Sequence, residues 1–269
     1  MKLAFWSSQK GQGNVTSNMI ALSTVIASQY DYKMILMQTQ YKDNNLWAPF
    51  YRLKSHFQLD EFGDTGVDAL VRLIKTEPLS PAILHNCSVS ILEDKLCLLP
   101  ETTKLNQSLY EDQITNMIGY ILKNMDVSYD ITMVDTIYGT NTITDLVLSE
   151  SDYIIVCVSQ NIYQLNSLFQ RMELPSHKIF YLFGNYEEDS KYNIKYLRKK
   201  YSISAKQSAI IPKNVRFMDA INDGDVLKFF NRNKGVTKEE CDYRFFKEVE
   251  KAAQKLLKFI ELKKRGAVI

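Results

Sequence analysis

The sequence predicts an α/β protein with a mostly parallel central sheet and helices on both of its faces. Short continuous apolar runs alternate along the chain with segments whose apolar residues recur at helical spacing. The apolar runs lack the polar alternation of a half-exposed strand, which indicates strands buried on both faces of a parallel sheet. No low-complexity linker or internal repeat divides the chain, so we expect a single domain over residues 1–269.

The predicted strands are short apolar runs that stop at prolines or polar residues. They cover residues 2–6, 33–37, 95–99, 131–134, 153–158, 178–183 and 209–211. Pro100 and Pro212 end the third and the last of these runs, because proline has no N–H to donate to a strand ladder. Asp135 ends the fourth run, and Gly184 follows the sixth.

The predicted helices fill the intervals between these strands. They cover residues 16–29, 68–74, 113–125, 142–148, 162–172, 191–201 and 239–264. In the first helix, Met19, Leu22 and Ile26 lie three or four residues apart, on one face. We expect Pro78 and Pro81 to close the second helix. Ligands of such sheets bind beyond the carboxyl ends of the strands, so the segments after the strands are the candidate sites.

Composition excludes several classes of protein. With 45% hydrophobic and 24% charged residues, the chain is an ordinary globular protein rather than a disordered one. No run of 18 apolar residues is present, which argues against a transmembrane helix, and the N-terminus lacks a signal-peptide core, which predicts a cytoplasmic location. The four cysteines and three histidines are scattered without paired spacing, so we expect reduced thiols and no zinc site.

Charge is distributed unevenly along the chain. The formal net charge is only +2, but residues 1–190 hold 13 Lys+Arg against 22 Asp+Glu, and residues 191–269 hold 20 against 9. Such an asymmetry indicates an anionic partner for the C-terminal third, although a set of solvated helix faces explains it equally well.

The loop over residues 7–14 joins the first strand to the first helix. A phosphate-binding loop lies at this position in many α/β proteins, because backbone N–H groups and a helix N-terminus can surround phosphate oxygens there. The standard pattern G-x-x-x-x-G-K-[ST] has no literal match in this loop. Taken alone, the loop therefore favours a plain strand–turn–helix connection over a phosphate site.

This loop nevertheless resembles the deviant phosphate loop, K-G-G-x-G-K-[ST], of the ParA/MinD family of positioning ATPases. Gln12 and Asn14 stand at glycine positions of that pattern, and Val15 stands at the usual phosphate-binding lysine. The resemblance implies ATP and Mg²⁺ as cofactors, with Thr16 as a magnesium ligand and Lys10 as a catalytic residue that reaches a nucleotide across a dimer interface. The implied nucleotide-binding residues of the loop are Lys10, Gly11, Gln12, Gly13, Asn14, Val15, Thr16 and Ser17.

Three later segments extend the resemblance, in the order and spacing of the family. Residues 129–139 are similar to its Y-D-x-x-x-x-D-x-x-x-G segment, which implies that Asp135 is the second magnesium residue. Residues 181–186 are similar to the strand whose terminal asparagine, here Asn185, contacts adenine. Residues 211–220 match I-P-x-x-x-x-x-x-x-A, whose backbone borders the base at Pro212.

Two shorter features are similar to the pilus- and secretion-associated branch of the family, called TadZ or CpaE. They are the Trp-Ser-x-x-x-Gly-Gln pattern that begins at Trp6, and Gln38-Thr39 followed by Asn44-Asn45-Leu46. The branch implies a protein that places a pilus or secretion apparatus. Its members often carry an additional N-terminal receiver-like domain, whereas this sequence begins at the ATPase strand.

Two departures from the family bear on catalysis. Val15 removes a phosphate-binding cation, and Gln38 replaces an aspartate that helps to position the attacking water. A glutamine can orient water but cannot accept its proton at neutral pH. Losing one electrostatic element costs about 10²–10³ in rate, so we expect ATP binding with weak or absent hydrolysis, and a long-lived homodimer.

The C-terminal third leaves several partners open. In partition ATPases of the ParA type, basic residues of this region hold non-specific DNA, and the candidates here are Lys191, Lys195, Arg198, Lys199, Lys200, Lys213, Arg216, Lys228, Arg232 and Lys234. The last predicted helix is amphipathic, with apolar residues from Phe245 to Ile260 and basic residues around and after them. Packing of that face on the domain is favoured over peripheral membrane contact. The alternatives are a pilus or secretion positioning protein recruited to a cell pole or membrane, a partition protein on the nucleoid, and a nucleotide-free scaffold.

Overall fold

In the computed structural model, the described part of the chain comprises residues 1–41, 46–51, 65–93, 95–171 and 174–266, with side chains described as far as 260. Eight strands are found there: β1 (Lys2–Trp6), β2 (Met34–Gln38), β3 (Val89–Leu92), β4 (Leu96–Leu98), β5 (Ile131–Asp135), β6 (Tyr153–Val158), β7 (Ile179–Tyr186) and β8 (Ser208–Pro212). They form one sheet in the order β3-β4-β2-β5-β1-β6-β7-β8. The predicted α/β fold with a mostly parallel sheet is confirmed.

The sheet places the ends of its central strands side by side. β1 pairs in parallel with β5 and β6, and β5 pairs in parallel with β2, so that Phe5 and Gln38 both lie opposite Asp135. The one antiparallel pair of the described sheet joins β3 to β4 at its edge. The sequence did not predict β3, because an edge strand that is only half-buried lacks the continuous apolar run of the central strands.

Ten α-helices are found in the same part of the chain. They are α1 (Val15–Gln29), α2 (Gly66–Leu73), α3 (Pro81–Cys87), α4 (Gln107–Met125), α5 (Thr142–Glu150), α6 (Ile162–Arg171), α7 (Ile194–Tyr201), α8 (Val215–Asp223), α9 (Val226–Arg232) and α10 (Tyr243–Gly266). None of the described helices is long and apolar enough to cross a membrane.

Three helices were absent from the prediction. Pro81 was expected to close a helix, but it opens α3 instead, where Ser80 Oγ accepts the N–H of Ile83 at 3.3 Å. Proline suits the first position of a helix because the N–H it lacks would have no partner there. α8 and α9 were also missed. α4 begins at Gln107 rather than at residue 113.

Alternate strand residues face two separate cores. Leu3 and Phe5 point to a core built with α1, α8, α9 and α10, whereas Ala4 and Trp6 point to a core built with α2 to α7. The apolar face of α10 lies in the first core, where the tilted rings of Phe245 and Phe217 pack with their centroids 4.9 Å apart. The expected packing of this face on the domain is confirmed, so it is not available to a membrane surface.

Candidate functional site

The loop between β1 and α1 contains two residues whose backbone has the left-handed conformation, with positive φ. Gly11 has φ 68° and Asn14 has φ 50° with ψ 42°. Asn14 stands at a position where the resembling pattern has glycine, and asparagine is among the few other residues that adopt this conformation readily. The loop therefore keeps the backbone course that a glycine would favour at residue 14.

Gly13 lies against the end of β6. A Cβ built on Gly13 would stand 2.5 Å from the carbonyl oxygen of Cys157 and 2.7 Å from Ser7 Oγ. Neither distance is possible for a real side chain, so a glycine is required here. The loop backbone therefore packs directly against the carboxyl ends of the central strands of the sheet.

Asn18 holds this loop from the first turn of α1. The side chain of Asn18 is buried, and its Nδ2 donates to the carbonyl oxygen of Gly13 at 2.9 Å. A Cβ on Gly184, in β7, would stand 2.5 Å from the same Nδ2. No role was predicted for Asn18, although an asparagine directly before the run Met19-Ile20-Ala21-Leu22 was a visible signal in the sequence.

Thr16 and Asp135 meet at the centre of the site, as the resemblance implied. Thr16 Oγ1 donates to Asp135 Oδ2 at 2.5 Å, and Gln40 Nε2 donates to Asp135 Oδ1 at 3.1 Å. Asp135 is fully buried, and this burial raises the pKa of its carboxyl group to about 7, although both hydrogen bonds oppose the rise. A hydroxyl and a carboxyl oxygen side by side are the kind of ligand that Mg²⁺ prefers, so these residues fit a magnesium ion.

A cavity of about 260 Å³ opens beside this pair. It is lined by Gln9, Lys10, Gly11, Gly13, Asn14, Val15, Thr16, Ser17, Gln40, Thr136 and Tyr138. Among these lining residues Lys10 is the one cation, and its Nζ lies 5.7 Å from the centroid of the Tyr138 ring. Val15 instead packs against the apolar core beneath the loop. The loop residues implied by the resemblance thus surround one cavity, apart from Gln12, which does not line it.

The segment after β5 is tied to the same loop. Trp6 Nε1 donates to the carbonyl oxygen of Gly139 at 2.7 Å, and the N–H of Gly139 donates to the carbonyl oxygen of Ser7 at 2.9 Å. Residues 135–139 therefore keep a fixed position relative to the loop, and they place Tyr138 over the cavity.

The two glutamines at the end of β2 have different environments. Gln38 is buried and does not line the cavity, and its Nε2 donates to the backbone oxygen of Gln40 at 3.4 Å. Gln40 lines the cavity and donates to Asp135 and to the backbone oxygen of Thr136, each at 3.1 Å. The glutamine that lines the cavity is thus Gln40, which was not predicted from the sequence, rather than Gln38.

The residues expected at the adenine base lie at the ends of β7 and β8, outside the lining of the cavity. Asn185 is exposed with φ 45°, and its Nδ2 donates to Asn14 Oδ1 at 3.1 Å. Pro212 is buried, and the following N–H, of Lys213, donates to the carbonyl oxygen of Tyr186 at 3.2 Å. Asn185 thus borders the loop directly, whereas Pro212 belongs to the neighbouring strand end.

Several basic residues of the C-terminal third already have partners within the chain. Lys213 lies 3.5 Å from Glu187, and Arg216 lies 3.1 Å from Asp242. Arg198 points towards β8 rather than into solvent. The remaining DNA-binding candidates named from the sequence are all exposed: Lys191, Lys195, Lys199, Lys200, Lys228, Arg232 and Lys234. Of the segment compared with the pilus-associated branch, Asn44 and Asn45 fall outside the described residues, and Leu46 is buried.

Comparison with known proteins identifies relatives of the fold but not of the sequence. No model of a protein family matches the chain, and no curated protein sequence matches it. Among solved structures, a ParA family ATPase from Chlorobium tepidum is 13% identical with a TM-score of 0.69, covering 94% of this chain and 98% of its own.

Two further solved structures contain nucleotides. The septum site-determining protein MinD of Pyrococcus horikoshii, complexed with Mg-ADP, is 12% identical with a TM-score of 0.69, over 96% of this chain and 98% of its own. A McdA–ATP complex from Cyanothece is 15% identical with a TM-score of 0.64, over 95% of each chain. The chain therefore has the fold of the ParA and MinD ATPases.

Proposed function

We propose that the chain binds ATP together with Mg²⁺ in the cavity beside Thr16 and Asp135. The observation that supports this most directly is the pairing of the Thr16 hydroxyl with the buried Asp135 carboxyl at the N-terminus of α1. N–H groups of residues 11–17 would face the phosphates, where the helix dipole also favours negative charge. Bound magnesium would neutralise phosphate charge, while Thr16 and Asp135 orient it.

Hydrolysis in this site is proposed to be slow or absent. Val15 packs on the core and supplies no charge, which leaves Lys10 as the one cation among the lining residues. Gln40 donates to Asp135, so its amide group serves to hold the carboxyl rather than to accept a proton from water. Each missing electrostatic element costs roughly 10²–10³ in rate.

Isothermal titration with ATP and Mg²⁺ tests the binding site. We expect Thr16→Ala to weaken the magnesium-dependent part of ATP affinity by about tenfold or more, because it removes one of the two oxygen ligands. Ser28→Ala, which removes a hydroxyl bonded to Val25 O near the other end of α1, is the matched control. Absence of ATP binding at millimolar concentration would overturn the proposal in favour of a nucleotide-free scaffold.

At the level of biology, we infer a positioning protein that acts as a nucleotide-favoured dimer. The fold supports a ParA/MinD-type role, and the Trp6 pattern supports the pilus- or secretion-associated branch. Sedimentation with and without ATP and Mg²⁺ measures the dimer. Neighbouring genes for a secretion ATPase and pilins would support this role, whereas a gene for a partition-site binding protein would contradict it.

One observation favours partition-type DNA binding as the second candidate. Lys195, Lys199 and Lys200 are exposed together on α7. If these lysines hold DNA through its phosphates, duplex affinity falls steeply with salt, with a logarithmic slope near −0.9 per contact. Co-sedimentation with duplex DNA at two salt concentrations measures this slope, and a lack of DNA binding at low salt excludes the candidate.

A further inference from the structure

A second cavity, of about 250 Å³, lies between α7, β8 and α10, apart from the proposed nucleotide site. It is lined by Ile194, Arg198, Ala209, Ile210, Glu248, Lys251, Ala252 and Lys255. We propose that this cavity binds a phosphate group, either free or as a small phosphomonoester, between Arg198 and Lys255. The proposal does not depend on nucleotide binding at Thr16 and Asp135.

Arg198 faces this cavity from α7 and is held in place by β8. Its Nε donates to Ser208 Oγ at 2.8 Å, and its Nη2 donates to the carbonyl oxygen of Ser208 at 3.1 Å. Within the described residues, its Nη1 has no hydrogen-bond or ion-pair partner. The guanidinium group is therefore fixed at one edge, and the donors of its other edge remain for a ligand.

Lys255 approaches the same point from α10. Its Nζ donates to the carbonyl oxygen of Ser208 at 3.4 Å, so two cations share one neutral acceptor. The pKa of Lys255 is lowered by burial and by the charge of Arg198, and burial lowers the pKa of Arg198 as well. Both effects mean that the positive charges are poorly solvated and repel each other. An anion bound between Arg198 and Lys255 would stabilise both charges and reduce their mutual repulsion.

The one carboxylate of the lining, Glu248, forms its ion pair with a different lysine, Lys251. Glu248 Oε1 lies 2.6 Å from Lys251 Nζ, on the preceding turn of α10. The described residues place no carboxylate within ion-pair distance of Arg198 or Lys255. The lining thus carries three cations against one carboxylate, which pairs with Lys251 and offsets the charge of Lys255 only in part.

The geometry favours a compact oxyanion over a nucleic acid strand. A guanidinium edge and an ammonium group at one point suit several oxygens of a single tetrahedral phosphate. Arg198 and Lys255 are partly buried within the cavity. The two residues that follow Arg198 in α7, Lys199 and Lys200, are exposed. A duplex would contact those exposed lysines first, so DNA binding and phosphate binding depend on different residues.

Titration of the full chain with sodium phosphate at constant ionic strength, followed by amide NMR, tests the proposal. We expect saturable shifts of the Ala209 and Ala252 amides, which line the cavity. Shifts at Gly11 and Gly13 report phosphate in the proposed nucleotide site separately. Absence of phosphate binding at one site can therefore be detected independently of binding at the other site. The absence of saturable shifts at Ala209 and Ala252 overturns the inference.

Variants identify the residues that bind. Arg198→Gln is expected to weaken phosphate affinity at the Ala209 amide by about tenfold or more, because a charge-assisted pair is lost. Lys199→Gln, which removes a neighbouring exposed charge, should leave that affinity unchanged. Equal weakening in the two variants, or shifts caused by duplex DNA but not by phosphate, would show a general polyanion surface and overturn the proposal. Lys255→Gln supplies the same comparison if Arg198→Gln does not fold.

Discussion

Protonation of Asp135 should control how tightly the protein binds Mg²⁺ with ATP. Its carboxyl group is fully buried, and burial raises its pKa to about 7 in the ligand-free protein. A magnesium ion requires the ionised carboxylate, so binding must displace the proton. Affinity is therefore expected to rise with pH across the neutral range.

The size of this effect follows from the pKa. With a pKa of about 7, roughly a tenth of the Asp135 carboxyl groups are ionised at pH 6 and roughly nine-tenths at pH 8. The binding-competent fraction sets the apparent affinity, so the magnesium-dependent affinity should increase about tenfold, or ~1.4 kcal/mol, between these two pH values. The hydrogen bonds from Thr16 and Gln40 keep the carboxyl in place in both forms.

Isothermal titration with Mg²⁺ and ATP at pH 6, 7 and 8 measures the effect. Asp135→Asn is the matched control, because its amide is neutral throughout and any remaining pH dependence belongs to the nucleotide. The wild-type protein should also release a proton on binding, seen as a dependence of the heat on the buffer's ionisation enthalpy. Identical pH profiles for the two proteins would refute the reasoning.

Four further substitutions have defined outcomes. Gly13→Ala places a Cβ 2.5 Å from the carbonyl oxygen of Cys157, so we expect lost ATP binding and about 1–3 kcal/mol of lost stability in urea unfolding. Gly119→Ala, in α4 with no atom within 4 Å of the added Cβ, should instead be neutral or stabilise by up to about 1 kcal/mol. Burial raises the pKa of Glu101 to about 7, so the stability that its protonated form contributes is fully present below pH 4.5 and is lost as the pH rises through 7. Glu101→Gln should therefore match the wild type at pH 4 and exceed its stability at pH 8 by up to about 3 kcal/mol, and a constant difference between the two would contradict this sign. Asn18→Ala removes the donor to the Gly13 carbonyl and should cost about 1–3 kcal/mol, whereas an unchanged unfolding midpoint would show that the bond is dispensable.

The sequence predicted the parts of the fold that depend on continuous apolar runs. Thr16 and Asp135 were expected at the same site because the family resemblance implied that both contribute to a magnesium site, and the structure places Thr16 Oγ1 and Asp135 Oδ2 2.5 Å apart. Which of Gln38 and Gln40 lines the cavity could not be predicted from the sequence. β2 ends at Gln38, and beyond a strand end the alternation of faces no longer indicates where a side chain points.

The helices that were missed lie where apolar periodicity is short. α8 and α9 contain nine and seven residues, too few for a clear helical pattern. Their boundaries were nevertheless marked in the sequence. Asn214 caps α8 by accepting the N–H of Phe217 at 2.7 Å, and Gly224 ends that helix with φ 69°. Capping residues therefore contained information that the apolar pattern alone did not give.

The contacts of Asn18 constrain how this protein can change by mutation. The Asn18 side chain fills the space that a Cβ on Gly184 would need, and it bonds the carbonyl of Gly13. Position 184 is distant in the sequence from positions 13 and 18, but the residues at these positions cannot vary independently. A larger residue at 184 is acceptable only with a smaller one at 18, which in turn releases the loop at 13. Substitutions at positions 18 and 184 should therefore be strongly non-additive, and homologous chains should change these two residues together while they keep glycine at position 13.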